Sequence, residues 1–295
     1  MLEQSAVKAQ LNWLSVLRVS GSDALSFLHA QFSADCRVLT TGTRIVTAWC
    51  TPKGRVLYLP WLIGGEDGVY VVLPATQFEA FMRRLRLYVL RAAVEITDLR
   101  ASHAVIMLAT PDTSPPPASF THASGLGSAT SVDGCRHWLI APQTHLADLW
   151  PTLRAAAAGT NATCLLGIRA CEPVLNNATS ELFLPQELDL DESGGVSFEK
   201  GCYPGQEIVA RVRYRGTVKR RLARLEGNAD KLPVAGTRIL AAEVHVGTVL
   251  CAAHARGDAV EMLAVLDLDA HTRALTAEGL ALTLRYPTSA PSAAT

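Results

Sequence analysis

Residues 111–131 do most to constrain how this chain can fold. They are rich in Pro, Ser, Thr, Ala and Gly and include Pro115-Pro116-Pro117, a composition that cannot form a packed core element. The stretch reads as a surface linker, so the sequence on each side must build structure of its own. At 295 residues the chain is expected to hold two or three domains, given about 100–200 residues for each. With 49% hydrophobic and 18% charged residues it can bury a sizeable core without disulfides or metal staples. A disordered or fibrous protein is thereby excluded.

Before the linker, residues 11–19 read as a strand, and Ser22 and Asp23 can cap a helix whose Leu25, Phe27, Leu28 and Phe32 follow helical spacing. Residues 43–50, 55–63 and 69–73 are β-rich runs. They are separated by Thr51-Pro52-Lys53-Gly54 and Gly64-Gly65-Glu66-Asp67-Gly68, both with turn chemistry. A helix is expected over 75–90, with Phe78, Phe81, Leu85 and Tyr88 on one face, then strands over 94–99 and 103–108. After the linker come a strand at 137–140 and helices over 144–157 and 163–171. From 218 onward short β runs recur, with turns expected at Gly227-Asn228 and Gly257-Asp258, the pattern of a small β-barrel. The fold class is therefore α+β. It divides into α+β segments at 1–110 and 132–217, a linker at 111–131, a barrel at 218–286 and a disordered tail at 287–295.

Lys+Arg and Asp+Glu each number 27, so no global charge draws the protein to nucleic acid or an anionic membrane. No apolar run reaches the roughly 18 residues of a membrane span, and residues 1–10 lack a cationic region followed by an apolar core; the expected location is cytoplasmic. The seven cysteines (Cys36, Cys50, Cys135, Cys164, Cys171, Cys202, Cys251) never form Cys-x-x-Cys, which indicates neither a disulfide framework nor a zinc module, and their spacing gives no support for a resident iron–sulfur cluster. The eight histidines are scattered, and no metal site is expected. A P-loop, a Gly-x-Gly-x-x-Gly turn and a Gly-x-Ser-x-Gly elbow are all absent.

Chemistry concentrates at Lys200-Gly201-Cys202-Tyr203-Pro204-Gly205-Gln206-Glu207. Two glycines and a proline around one cysteine make a tight turn that can display Cys202 and Tyr203. A helix starting near Gly205, together with Lys200, would favour the thiolate; the competing reading is an ordinary turn with a packed, inert cysteine. Seven cations follow (Arg211, Arg213, Arg215, Lys219, Arg220, Arg221, Arg224), with no acidic residue from 208 to 225. Strand and helix both suit the stretch around Arg211. The cluster is either a solvated face or a holder of phosphates or carboxylates.

The same eight residues resemble the signature of the YgfZ family, folate-binding relatives of the glycine-cleavage T-protein that serve iron–sulfur enzymes. Further blocks in the same order resemble that family: Gln31-Phe32-Ser33-Ala34-Asp35, Thr51-Pro52-Lys53-Gly54-Arg55, Phe183-Leu184-Pro185-Gln186-Glu187 and Arg215-Gly216-Thr217-Val218-Lys219-Arg220. The resemblance implies a T-protein-like ring of two α+β domains around a central folate cavity, with a C-terminal β-barrel. It makes Cys202 the functional cysteine, with Lys200, Gly201, Tyr203, Gly205, Gln206 and Glu207 as its loop. Asp35, Lys53 and Arg211 would line or support the cavity, Asp35 also suiting a helix-end hydrogen bond. Trp13 neighbours the position of an aromatic stacked on the pterin, although packing is the favoured role for a Trp that begins a strand.

Two departures bear on function. Where related T-proteins carry acidic residues after the glycine turn, this chain has Leu57-Tyr58-Leu59, which leaves no carboxylate there for aminomethyl transfer. The family's Arg-Ile-x-x-Gly-x-Pro block stands as Gly167-Ile168-Arg169-Ala170-Cys171-Glu172-Pro173. The implied function is a tetrahydrofolate-binding accessory protein, not a conventional enzyme, that supports iron–sulfur cluster assembly or repair. Its partners would be assembly factors or cluster-dependent clients such as tRNA-modifying methylthiolases. The alternatives are a folate-dependent one-carbon transferase and an RNA-binding module using residues 211–224, against which the neutral overall charge weighs.

Overall fold

The computed structural model describes residues 5–111, 113, 128–130 and 134–287. Most of the expected linker, and the expected tail beyond Pro287, lie outside the described residues. The chain gathers into two compact units. One is drawn from Met1–Trp49, Tyr58–Thr160 and Glu199–Tyr203, the other from Cys50–Leu57, Asn161–Phe198 and Pro204–Thr295. No helix among the described residues is long and apolar enough to cross a membrane.

Elements up to residue 157 run in the order β1 (Val7–Gln10), β2 (Leu14–Ser20), α1 (Ala24–Gln31), β3 (Arg44–Val46), β4 (Trp49–Cys50), β5 (Val56–Tyr58), β6 (Trp61–Gly65), β7 (Gly68–Pro74), α2 (Phe78–Arg86), β8 (Glu95–Asp98), β9 (His103–Ala109), β10 (Ser128–Thr130), β11 (Arg136–Pro142), α3 (Leu146–Thr152) and β12 (Ala156–Ala157). The first unit holds two five-stranded sheets, ordered β10-β11-β9-β1-β12 and β3-β6-β7-β2-β8. Val69, Tyr70, Val71, Val72 and Leu73 on β7 are all buried, as a central strand covered on both faces requires. Phe32 and Phe81 stack with ring centres 6.3 Å apart, and Trp49 and Tyr58 meet them edge-on or tilted, with Phe81 5.2 Å from Tyr58 and 5.3 Å from Trp49; this aromatic cluster anchors α1 and α2.

Several expected elements are shorter than their patterns. The runs at 43–50 and 55–63 each divide in two, the second at Leu59-Pro60, where proline cannot continue a ladder. Asp23 precedes α1 without capping it, because its carboxylate accepts the Ala93 N–H at 2.8 Å. The helix expected over 75–90 is α-helical from Phe78 to Arg86 and closes in a tighter turn. The helix expected over 144–157 ends at Thr152, since Pro151 stands in its last turn and Leu153 is extended. Ala156 and Ala157 then pair in parallel with Val7 and Lys8, so sheet pairing overrides the helix propensity of the alanines.

The second unit carries α4 (Thr160–Arg169), α5 (Gln206–Arg215) and the strands β13 (Arg220–Asn228), β14 (Arg238–Ala241), β15 (Val244–His254), β16 (Ala259–Asp267), β17 (Leu275–Ala277) and β18 (Leu280–Pro287). These strands close into a barrel in the order β13-β16-β15-β14-β17-β18, filled by Val249, Met262, Ala264, Leu266, Ile239 and their neighbours. The expected barrel is present, with one strand, β17, too short to register as a run. Gly257 turns at φ +66° as expected. Gly227-Asn228, expected as a turn, instead ends β13, where a Cβ on Gly227 would lie 2.8 Å from the Ala281 carbonyl oxygen; the glycine serves a close strand approach. Beside β15 the register shifts between Val249 and Cys251, a bulge that re-aims the strand's side chains.

Candidate functional site

The cysteine motif begins in the first unit. Lys200 is buried, and its Nζ donates to the backbone carbonyls of His29, Phe32 (2.5 Å) and Ala34 (3.1 Å). Three carbonyls match the three N–H donors of an ammonium. Burial holds the Lys200 pKa down to about 8, against a smaller opposing pull from Cys36 and Asp35. The Lys200 ammonium lies 5.1 Å from the centre of the buried Tyr203 ring. Between these anchors Gly201 and Cys202 are exposed, and the Cys202 thiol is free. The motif thus displays its cysteine on a backbone fastened at both sides. The sequence expectation placed the Lys200 charge at the thiol; the structure commits it to the carbonyls of His29, Phe32 and Ala34 instead.

Asp35 closes the Gln31-to-Asp35 block. It accepts from Arg37 through the backbone N–H at 3.0 Å, Nε at 2.9 Å and Nη2 at 2.7 Å, and lies 3.0 Å from His29 Nδ1. The Arg37 hydrogen bonds hold the carboxyl well below the usual range. The helix-end role is therefore filled: Asp35 caps the single 3-10 turn Cys36–Val38. Burial and the Lys200 ammonium both lower His29.

The remainder of the motif opens α5 in the second unit. Gly205 precedes it at φ +82°, and a Cβ there would stand 2.4 Å from the Thr51 carbonyl oxygen and 2.8 Å from Gly54 Cα. Gly54, at φ +73°, closes its own turn through a 2.9 Å bond to the Thr51 carbonyl. Two blocks that are far apart in sequence therefore meet backbone to backbone at paired glycines. The stretch around Arg211 is helical.

Glu187 ties these blocks to the barrel, a role the sequence left unassigned beyond its place in a block. Its carboxylate accepts from the Leu184 N–H at 2.7 Å, Arg55 Nη1 at 3.2 Å and Arg220 Nε at 2.9 Å. Gln186 donates to the Val209 carbonyl on α5 at 2.7 Å. The seven-cation cluster is accordingly corrected. Arg220 pairs with Glu187, Arg221 with Asp191 at 2.6 Å and Arg224 with Glu261 at 3.7 Å, so their counter-charges come from outside the 208–225 window. Arg213 stacks over Phe198. Arg211, Arg215 and Lys219 are exposed, as is Lys53 in the Gly54 turn.

Trp13 is half-buried, packed edge-on against Trp61 at 6.2 Å, and its buried indole Nε1 has no hydrogen-bond partner among the described residues. A cleft of about 180 Å³ opens nearby in the same unit, lined by Gln10, Asn12, Ser15, Arg100, His103 and Gln143 among others; it is smaller than the roughly 300 Å³ at which drug-sized ligand pockets begin. At 167–173 the structure supplies the reason for a glycine in the family's block. Cys171 has φ +53°, its N–H bonds the Ile168 carbonyl and the Glu172 N–H bonds the Gly167 carbonyl, the left-handed termination that glycine favours.

No family model matches the chain. The sequence is 31% identical over 238 residues to the tRNA-modifying protein YgfZ of Klebsiella pneumoniae (strain 342), covering 74% of this chain and 71% of that one. It is 29% identical over 284 residues to the protein of the same name in Edwardsiella ictaluri (strain 93-146), covering 88% and 83%. Its backbone is similar to the crystal structure of glycine cleavage system aminomethyltransferase T from Bartonella henselae, with a TM-score of 0.75 and 16% identity across 97% of this chain and 86% of that one, a likeness of fold.

Proposed function

The chain belongs to the YgfZ family, and from that premise we propose that it is a folate-binding accessory protein supporting iron–sulfur cluster assembly or repair, and through it cluster-dependent enzymes such as tRNA-modifying methylthiolases. The observation that carries this reading is the exposed Cys202 thiol on a loop anchored by Lys200 and Tyr203. A thiol displayed in that way suits exchange with a partner's thiol or transient contact with a cluster, neither of which a packed cysteine could perform.

Within the second unit, exposed Lys53 and Arg211 offer cations that suit the glutamate carboxylates of a folate. Tetrahydrofolate, when bound, supplies one-carbon and reducing chemistry; the residues named here bind and orient it. Leu57-Tyr58-Leu59 supports an accessory role over aminomethyl transfer, because Tyr58 and Leu59 are buried and Tyr58 packs on Trp49 and Phe81.

Anaerobic titration calorimetry with tetrahydrofolate tests the first half of the proposal. Saturable one-site heat is expected, weakened by Arg211→Ala; no heat would overturn the folate assignment. In cells carrying Cys202→Ala as their sole copy, the activity of cluster-dependent enzymes is expected to fall while the protein accumulates normally. Full activity in that strain would overturn the role of the thiol.

A further inference from the structure

Cys164 and Cys251 are 87 positions apart in sequence and are absent from every block discussed above, yet the second unit brings them together. The bulge on β15 is the first cause. Val249 faces the barrel interior, fully buried, and unbroken alternation would send Cys251 inward after it. The register shift between them instead returns Ala252 to the core's edge and turns Cys251 to the outer wall.

Helix α4 is fastened along that wall at three points. Asn161 clasps the backbone of His254 from both sides, its Nδ2 donating to the carbonyl and its Oδ1 accepting the N–H, each at 2.8 Å. One turn further on, the Cys164 thiol lies 3.7 Å from the Ala252 carbonyl oxygen, to which it donates. At the far end Arg169 Nη2 grips Glu261 on β16 at 2.6 Å. Within this frame the Cys251 thiol donates a hydrogen bond to the Cys164 sulfur, and both cysteines are free.

We propose that Cys164 and Cys251 are a redox-active thiol pair that closes to a reversible disulfide, stapling α4 to the barrel wall, in response to a peroxide. The two thiols titrate as a pair. The hydrogen bond from Cys251 lowers Cys164, while the same bond and burial raise Cys251, which makes Cys164 the attacking sulfur and Cys251 the resolving one. The Cys164 thiolate attacks one peroxide oxygen, the O–O bond breaks, and a sulfenic acid forms as the departing hydroxide takes up a proton to become water. Cys251 then attacks the Cys164 sulfur; the S–O bond breaks, the S–S bond forms, and the hydroxyl leaves as a second water with the Cys251 proton. Two thiols and one hydrogen peroxide thus become one disulfide and two waters, and a dithiol reverses the change. This site is separate from Cys202 and independent of its assignment.

The test uses the reduced full-length chain. It is treated with stoichiometric hydrogen peroxide, its remaining thiols are alkylated, and the protein is digested without reduction for mass mapping. The expected product is a peptide pair joining Cys164 to Cys251, lighter by two hydrogens, that dithiothreitol returns to two alkylatable thiols. It should form equally in Cys202→Ser and disappear in Cys164→Ser. The wild-type map alone decides the matter if the serine variant folds poorly. Cys164 and Cys251 both remaining alkylatable while Cys202 oxidises would overturn the proposal, as would their linkage to other cysteines.

Discussion

Cys171 holds a left-handed backbone at φ +53° at the end of α4, where a side chain costs about 1–2 kcal/mol relative to the right-handed region. Replacing it with glycine removes that cost, less the extra entropy glycine loses on folding. Cys171→Gly is expected to stabilise the protein by about 1 kcal/mol, read as a Tm rise of about 2 °C by calorimetry. Lys200 gives a pH signature. Burial sets its folded pKa at about 8, whereas an unfolded lysine titrates near about 10.4. Between those values the unfolded chain binds more protons, so stability from this group rises with pH across that window and is at its lower level below it. Denaturant titrations from pH 7 to about 10.4 should show wild type gaining on Lys200→Met above pH 8; a constant difference would contradict the buried ammonium. Neither feature was legible from residue type alone. The sequence placed Lys200 in the motif, but its carbonyl partners depend on where residues 29–34 are folded.

At the scale of elements, the paired glycines separate structural from chemical roles within one motif. A Cβ on Gly205 collides with Thr51 and Gly54, and φ +82° disfavours any side chain, while a Cβ on Gly201 meets nothing within 4 Å. Gly205→Ala is expected to cost about 1–3 kcal/mol, and Gly201→Ala to stay within about 0.5 kcal/mol, measured by chemical denaturation. Any functional loss in Gly201→Ala would then report on the displayed thiol and not on folding. Sequence patterns located α1, α2 and the barrel because apolar spacing and turn residues agree there, but left strand and helix open around Arg211, where α5 forms. They overran at residues 144–157, where alanines read as helix but pair with β1, and they missed the ion pairs of Arg220, Arg221 and Arg224, whose acids lie outside any local window.

Across the whole molecule, each compact unit is assembled from three separate stretches of chain, and the motif itself is shared, with Lys200 to Tyr203 in one unit and Pro204 to Glu207 in the other. Order of elements was readable in the sequence, but this interleaving was not, because periodicity reports each element's exposed and buried faces without naming its neighbours. A chain ending at residue 198 keeps both sheets of the first unit yet leaves the carbonyls of His29, Phe32 and Ala34 without the ammonium that fills them. In such a truncation, amides in residues 29–36 are expected to exchange hydrogen faster than in the full chain while β6 and β7 stay protected, as mass spectrometry would show. During synthesis, the segment that cradles Lys200 leaves the ribosome long before the lysine does. At about 5–20 residues per second the cradle waits on the order of ten seconds for its cation, so the exposed cysteine is the last part of the first unit to be set in place.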